Sequence, residues 1–324
     1  MAKCNVGDLP EYKHFRLEQA AEGVYAAISV PGTGSLGNAA IVDLGDATLV
    51  VDTFLTIQAA EQLRDAAERL TGRPASYVFN THWHADHTFG NQVFAPAAQI
   101  ISTSRTRDIM AAFAKERLPQ QLAEPEALHR AIDEWEEQSK QVSDAKLRME
   151  MEWEVASDRE YMRALPNVVY TLPAITFEQQ ITLHGSRRSA QLITYGGGHT
   201  QSDAFVYLSE DKIAITGDLV LSGHHLVLRF GNPQEWLHIL DQVEALQAEI
   251  IVPGHGPVCS PDAIGKARTY LKDMFALAEH LVRSGGSPDA VQVPEAYRSW
   301  YFTSDFKTNL EVLCAKLTES AAEQ

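Results

Sequence analysis

A chain of 324 residues, 45% hydrophobic and 22% charged, can bury one large α/β core and lacks the composition of a disordered segment. No run of about 18 apolar residues occurs, and the start MAKCNVGDLPEYKHF lacks a basic stretch followed by an apolar one, so neither a membrane span nor a signal peptide is expected. A formal net charge of −16 repels phosphate backbones and argues against nucleic acid as partner. Cys4, Cys259 and Cys314 are too far apart for a CxxC knuckle or a disulfide framework, and read as reduced thiols of a cytoplasmic protein. The expected partner is a small-molecule substrate, with no membrane; a homo-oligomer is compatible with the sequence.

Residues 23–30 (GVYAAISV) read as a strand, and 39–52 (AAIVDLGDATLVVD) as two strands joined at Gly45-Asp46. Thr56 is placed to cap a helix over about 57–70, where Ile57, Ala60, Leu63, Ala67 and Leu70 share a face. Short strands are expected at 76–80, running straight into a histidine-rich loop, and at 98–103. Residues 104–164 are charged and helical in pattern. Leu128, Ile132 and Trp135 fall at helical spacing, and Pro119 and Pro125 are expected to break the run. Strand-like pieces resume at 168–172, 175–183, 190–195, 203–208 and 212–216. Asn232-Pro233 opens a helix with the stripe Trp236, Ile239, Leu240, Val243 and Leu246. A strand at 249–253 ends at Gly254-His255-Gly256, and 261–283 is expected as the last long helix. Both halves place histidines just after a short apolar strand. That points to an α/β chain of two β-rich halves packed face to face, helices outside, forming one domain over 1–324 with 104–164 as a helical insertion.

The strongest chemical signal is Thr81-His82-Trp83-His84-Ala85-Asp86-His87, four donors within six residues. Histidine and aspartate suit Zn²⁺, Mn²⁺ or Fe²⁺, and three histidines in one loop have no obvious structural use. His82 and His84 can converge on one ion, Asp86 and His87 on a second. Further donors should come from other strand ends: His199 in GGGHTQSD, Asp218 in AITGDLV and His255 in IVPGHGPV. Each alone would pass for a turn residue; together with the first cluster they form a set. Gly32-Thr33-Gly34-Ser35-Leu36-Gly37 fits GxGxxG, with Asp52 downstream, but it leads into strands and opens no helix. It reads as a mobile flap beside the metals. His224, His225 and Tyr195 are further candidates for the pocket lining, and 104–164 is either a solvated insertion or a lid over the substrate.

With these motifs the chain resembles the metallo-β-lactamase-fold hydrolase superfamily over roughly residues 23–283. The family's HxHxDH motif is met by His82, His84, Asp86 and His87, and its later ligand motifs by His199, Asp218 and His255. The resemblance implies a four-layered αββα sandwich with metals at one edge. It implies one ion on His82, His84 and His199, a second on Asp86, His87 and His255, and Asp218 bridging both. Asp52 matches a family aspartate that supports the metal loop. His84 stands where flavodiiron relatives usually carry glutamate, which argues against that redox branch. Asp218 is the residue type of lactonases and glyoxalase II-like thioesterases. The specialised B1 and B2 β-lactamases carry cysteine in that segment, and class B3 lacks the bridging aspartate. THWHADHTFGNQVF is similar to SoxH and quinoprotein-relay members.

The resulting expectation is a binuclear metallohydrolase, two divalent ions per chain, zinc foremost and manganese or iron as alternatives. A metal-bridging hydroxide would attack the carbonyl of an ester, lactone, thioester or cyclic amide, with Asp86 orienting it or relaying a proton. Rival readings are a weak β-lactamase, a mononuclear iron sulfur dioxygenase, and a phosphodiesterase or RNA-processing relative, the last disfavoured by the acidic charge.

Overall fold

Apolar strands that alternate toward two different cores build the centre of this computed structural model, which describes residues 9–322. The first sheet runs in chain order: β1 (Phe15–Ala21), β2 (Val24–Ser29), β3 (Ala39–Asp43), β4 (Thr48–Val51), β5 (Tyr77–Phe79), β6 (Gln99–Thr103) and β7 (Ile175–Phe177). Its β1–β4 part is antiparallel and its β4–β7 part parallel. The second sheet has β8 (Gln180–His184), β9 (Ser189–Gly196), β10 (Asp203–Leu208), β11 (Ile213–Gly217) and β12 (Ile250–Pro253) as successive neighbours. Only β11 and β12 pair in parallel there.

Strand β3 shows why the sheets stack. All five of its residues are buried. Ala40 and Val42 meet the second sheet's Leu192, Val206 and Ile215, whereas Ala39 and Ile41 face outward into a helix-covered core. That cover is α1 (Ile57–Thr71), which packs Ala59, Ala60, Leu63, Ala66 and Ala67 against the sheet. Thr56 caps it, accepting from the Ala59 N–H, and Gly72 ends it at φ 72°. On the far side α7 (Pro233–Ala245), α8 (Asp262–Ser284) and α9 (Thr303–Ala322) cover the second sheet with Trp236, Ile239, Leu271, Met274, Phe306 and Leu310. The layers are therefore helix, sheet, sheet, helix, as expected.

Several expectations need correction. Strand β1 was not foreseen; its LEQ stretch is only partly buried, so its apolar signal is weak. The helix at 262–284 is not the last, because α9 follows. Pro119 does not interrupt its helix, α4 (Ser104–Ala123). It is exposed and in the last turns, where water can satisfy the carbonyl that loses its partner. Pro125 instead opens α5 (Pro125–Gln141). Residues 168–172 form no strand; Tyr170 packs on Phe89 and Phe113 rather than joining a ladder. The stretch 175–183 is two strands in two different sheets, the chain crossing between them at Glu178 and Gln179. The loop 31–37 is tied down, since Ser35 Oγ donates to the His14 carbonyl at 2.6 Å and the Leu55 N–H donates to Ser35 O at 3.2 Å.

The block 104–164 is helical as expected: α4, α5 and α6 (Ala145–Ala164). Its small core joins Leu118, Ile132, Val155 and Met162 to Phe89, just past the histidine loop. Two four-residue helices, α2 (Ala85–Thr88) and α3 (Asn91–Phe94), connect that loop to the sheet. Among the described residues no helix is long and apolar enough to cross a membrane. Cys259 and Cys314 are free, and Cys4 lies outside the described residues.

Candidate metal centre

Every candidate donor sits where a buried strand runs out at the same edge. β5 leads to His82 and His84, and α2 carries Asp86 and His87. The β9–β10 turn carries His199, Asp218 follows β11, and His255 follows β12. The structure brings all seven together in two groups: His82, His84, His199 and Asp218, then Asp86, His87 and His255. Within each group the donor atoms lie within 4.8 Å of one another.

Asp218 faces both groups. Its Oδ2 is 3.2 Å from His199 Nε2 and 3.4 Å from His255 Nε2, while its Oδ1 is 3.3 Å from His87 Nε2. Asp86 Oδ2 lies 3.3 Å from His87 Nε2 and 3.5 Å from His255 Nε2. His84 Nδ1 is 3.0 Å from His199 Nε2.

The residues fit a metal on two counts. The Nε2 atoms of His82 and His87 and the Oδ1 of Asp218 are buried without a hydrogen-bond partner. Such atoms are costly to bury unless something coordinates them. Charge agrees. Burial holds His82 and His84 well below the usual histidine range, in the neutral form that offers a lone pair. At His87 and His255 burial works the same way but is outweighed by the carboxylates of Asp86 and Asp218, which raise both rings. Those carboxylates stabilise positive charge between the rings, whether a proton or a divalent cation carries it.

The second layer of contacts orients the donors. Asp52, at φ 60°, accepts from Thr81 N, Thr81 Oγ1 and His87 Nδ1, each at 2.8 Å. His87 is thereby turned so that Nε2 points inward, the kind of supporting role the family resemblance implied for Asp52. Other supports were not foreseen. Asp203 accepts from Gly198 N, Thr200 N and Thr200 Oγ1 and so shapes the His199 turn. Asn80 and Asn91 exchange hydrogen bonds behind His87, and Asn38 Nδ2 donates to Pro253 O and Gly256 O on either side of His255. The only sequence cue was their type: Asn and Asp beside turns commonly bond local backbone. Gly254 approaches so closely that a Cβ there would collide with Asp218 Oδ1.

A cavity of about 580 Å³ opens on the donors. Trp83, Phe113, Phe230 and Tyr161 line one side; Glu154, Asp158, Asp305 and Arg229 supply charge. His225 also lines it, and His224 packs against His255 with ring centroids 6.1 Å apart. Tyr195 does not; it borders a separate polar pocket with Gln179 and Gln201. The block 104–164 contributes Phe113, Gln121, Glu154, Ser157, Asp158 and Tyr161 to the cavity wall.

Comparison with known proteins agrees with the fold. A metallo-beta-lactamase from Pontibacter korlensis superposes with a TM-score of 0.58 at 16% identity, over 80% of this chain and 100% of that one. The DIM-1 metallo-beta-lactamase gives 0.56 at 17% identity, over 81% and 99%. At such identities the likeness establishes the fold alone. The family model of the metallo-beta-lactamase superfamily matches residues 32–255, which contain all seven donors together with Asp52. The chain belongs to the metallo-beta-lactamase superfamily.

Proposed function

We propose that the protein is a binuclear metal-dependent hydrolase, with zinc as its ion, that cleaves esters, lactones, thioesters or cyclic amides. The observation that supports this best is Asp218, whose Oδ2 faces His199 of one donor group and His255 of the other while its Oδ1 faces His87. A mononuclear iron centre would leave Asp86, His87 and His255 without a purpose. Divalent ions held there supply Lewis acidity toward a carbonyl oxygen and a water that ionises near neutral pH.

The chain's own residues do the rest. Asp86 lines the cavity. Burial opposes its charge, but His87 and His255 outweigh that and hold it at about 2, so at neutral pH it accepts a hydrogen bond and orients water. Trp83 stands between the two histidines of the loop, its Nε1 donating to Gln201 Oε1 at 3.1 Å, and presents its ring to the cavity. Phe113 and Tyr161 of the helical block face the same space, so we assign the block the role of a substrate-shaping lid.

The test is a hydrolysis panel of a phenyl ester, an acyl lactone, a thioester and nitrocefin, run with metal analysis. We expect chelator-sensitive turnover of one of the first three above that of nitrocefin, because Asp218 replaces the thiolate of the specialised lactamases. Nitrocefin turnover above every other substrate would overturn the substrate assignment. A single bound iron would overturn the binuclear one.

A further inference from the structure

Residues 300–308 lie beyond the matched family region, yet Phe302, Ser304, Asp305 and Thr308 line the cavity. Two anchors hold this segment. On one side it pairs with the loop after Asp218: Tyr301 N donates to Gly223 O at 2.8 Å, and His225 N to Tyr301 O at 3.0 Å. On the other it is gripped by α6. Lys146 Nζ donates to Trp300 O at 2.6 Å and to Thr303 Oγ1 at 3.0 Å, and it pairs with Glu150. Glu150 Oε2 accepts the Thr303 N–H at 2.9 Å, satisfying a donor in the first turn of α9.

Two features make this more than a surface tie. Glu150 is only 1% exposed while the Lys146 side chain keeps 31% of its surface in solvent, so a buried carboxylate here depends on Lys146 and the Thr303 N–H for its partners. Phe302 has φ 57°, a conformation glycine adopts freely and a bulky residue rarely does. What this geometry achieves is to bring the Phe302 ring within 6.1 Å of the His255 ring and 5.2 Å of the His224 ring, centroid to centroid. We propose that Phe302 is a specificity-determining residue that receives an apolar group of the substrate, and that Glu150, paired with Lys146, is the positioning residue that holds it there. This rests on the hydrolase reading above. The segment couples α6 of the helical block to α9, so both chain regions set one wall of the cavity.

The test uses three variants of the full chain. Phe302→Gly removes the ring while keeping the left-handed backbone. Lys146→Met with Glu150→Leu removes the ion pair while keeping volume, which guards against simple unfolding. Glu150→Gln keeps an acceptor for Thr303 N. Readouts are metal content, amide exchange at 301–305, and kcat and KM for 4-nitrophenyl acetate and 4-nitrophenyl octanoate. In the double variant, Thr303 exchange should rise about tenfold with metal content unchanged. The octanoate-to-acetate ratio of kcat/KM should shift about tenfold through KM, in the same direction as in Phe302→Gly, with Glu150→Gln intermediate. Unchanged exchange, an unchanged ratio in Phe302→Gly, or equal kcat losses on both esters would overturn the proposal. If the wild type cleaves neither ester, the hydrolase reading fails for this class. Exchange, and the affinity for octanoate against acetate read from tryptophan fluorescence, then decide the positioning claim separately.

Discussion

At the candidate metal edge His82, His87 and His199 are each at most 1% exposed, and these three are backed by a threonine, an aspartate and a backbone carbonyl respectively. In the helical block, the cluster that packs against Phe89 is Leu118, Ile132, Val155 and Met162, each 6–7% exposed, with Met110 and Met151 buried outside it, and much of the surrounding surface is charged. The first region is fixed by many mutually dependent polar contacts inside a close-packed sandwich; the second is a thin apolar seam. In the proposed reading, such a difference separates the candidate metal ligands from the wall that shapes the cavity. The edge should fail as a unit when one contact goes, while the block should tolerate change and redirect selectivity.

The largest expected effect is at Asp218. Asp218→Ala should lower turnover on the order of a thousandfold and release one ion, with the fold retained by far-UV circular dichroism. Full turnover with both ions kept would show that the edge is less interdependent than described.

A pair of core substitutions compares the regions directly. Phe79→Ala, fully buried between the sheets, should cost about 3–5 kcal/mol in denaturant unfolding. Ile132→Ala in the block should cost about 2 kcal/mol and leave the metal content untouched. Equal costs, or loss of metal from Ile132→Ala, would break the distinction.

At Asp52 the effect should be smaller but specific. Asp52→Ala removes the acceptor that turns His87 and fixes Thr81, so metal affinity should fall about 10–100-fold in a competition titration with a chromophoric chelator. Unaltered affinity would reduce Asp52 to a turn residue.

The smallest effect concerns pH. Glu154 on α6 is raised to about 7, first by burial and then by Asp305 of α9, against hydrogen bonds from Trp135 and Ser304 that lower it. Asp158 on α6 adds a like charge, and Arg229 faces the group only through Asp305. A carboxyl raised in the folded state contributes its full stability below its ordinary value of 4.5 and loses it as pH rises through about 7. Glu154→Gln should therefore flatten the fall in Tm between pH 4.5 and about 7. A parallel curve for wild type and variant would contradict that environment.

The same contrast governs what the sequence revealed. The seven candidate donors that the structure brings together were legible because the HxHxDH spacing of His82–His87 is a local pattern and His199, Asp218 and His255 each come soon after an apolar strand. The hairpin at Gly45 and the caps at Thr56 and Asn232 were legible for the same reason. Asp203, Asn80 and Asn38 were not, because their partners are chosen by tertiary approach; Asn38 and Pro253 are 215 residues apart. The splitting of 175–183 between two sheets is likewise a matter of pairing, which periodicity cannot carry. The contribution of the segment before α9 was hidden because it is held by Glu150, whose bond to Thr303 N spans 153 positions of the chain.

The most direct test of the whole account is the metal stoichiometry of the purified protein, read by elemental mass spectrometry before and after dialysis against a chelator. The proposed binuclear centre predicts about two divalent ions per chain, zinc foremost, with turnover lost on chelation and restored on adding the metal back. One iron per chain with no zinc or manganese, or turnover indifferent to chelation, would contradict it.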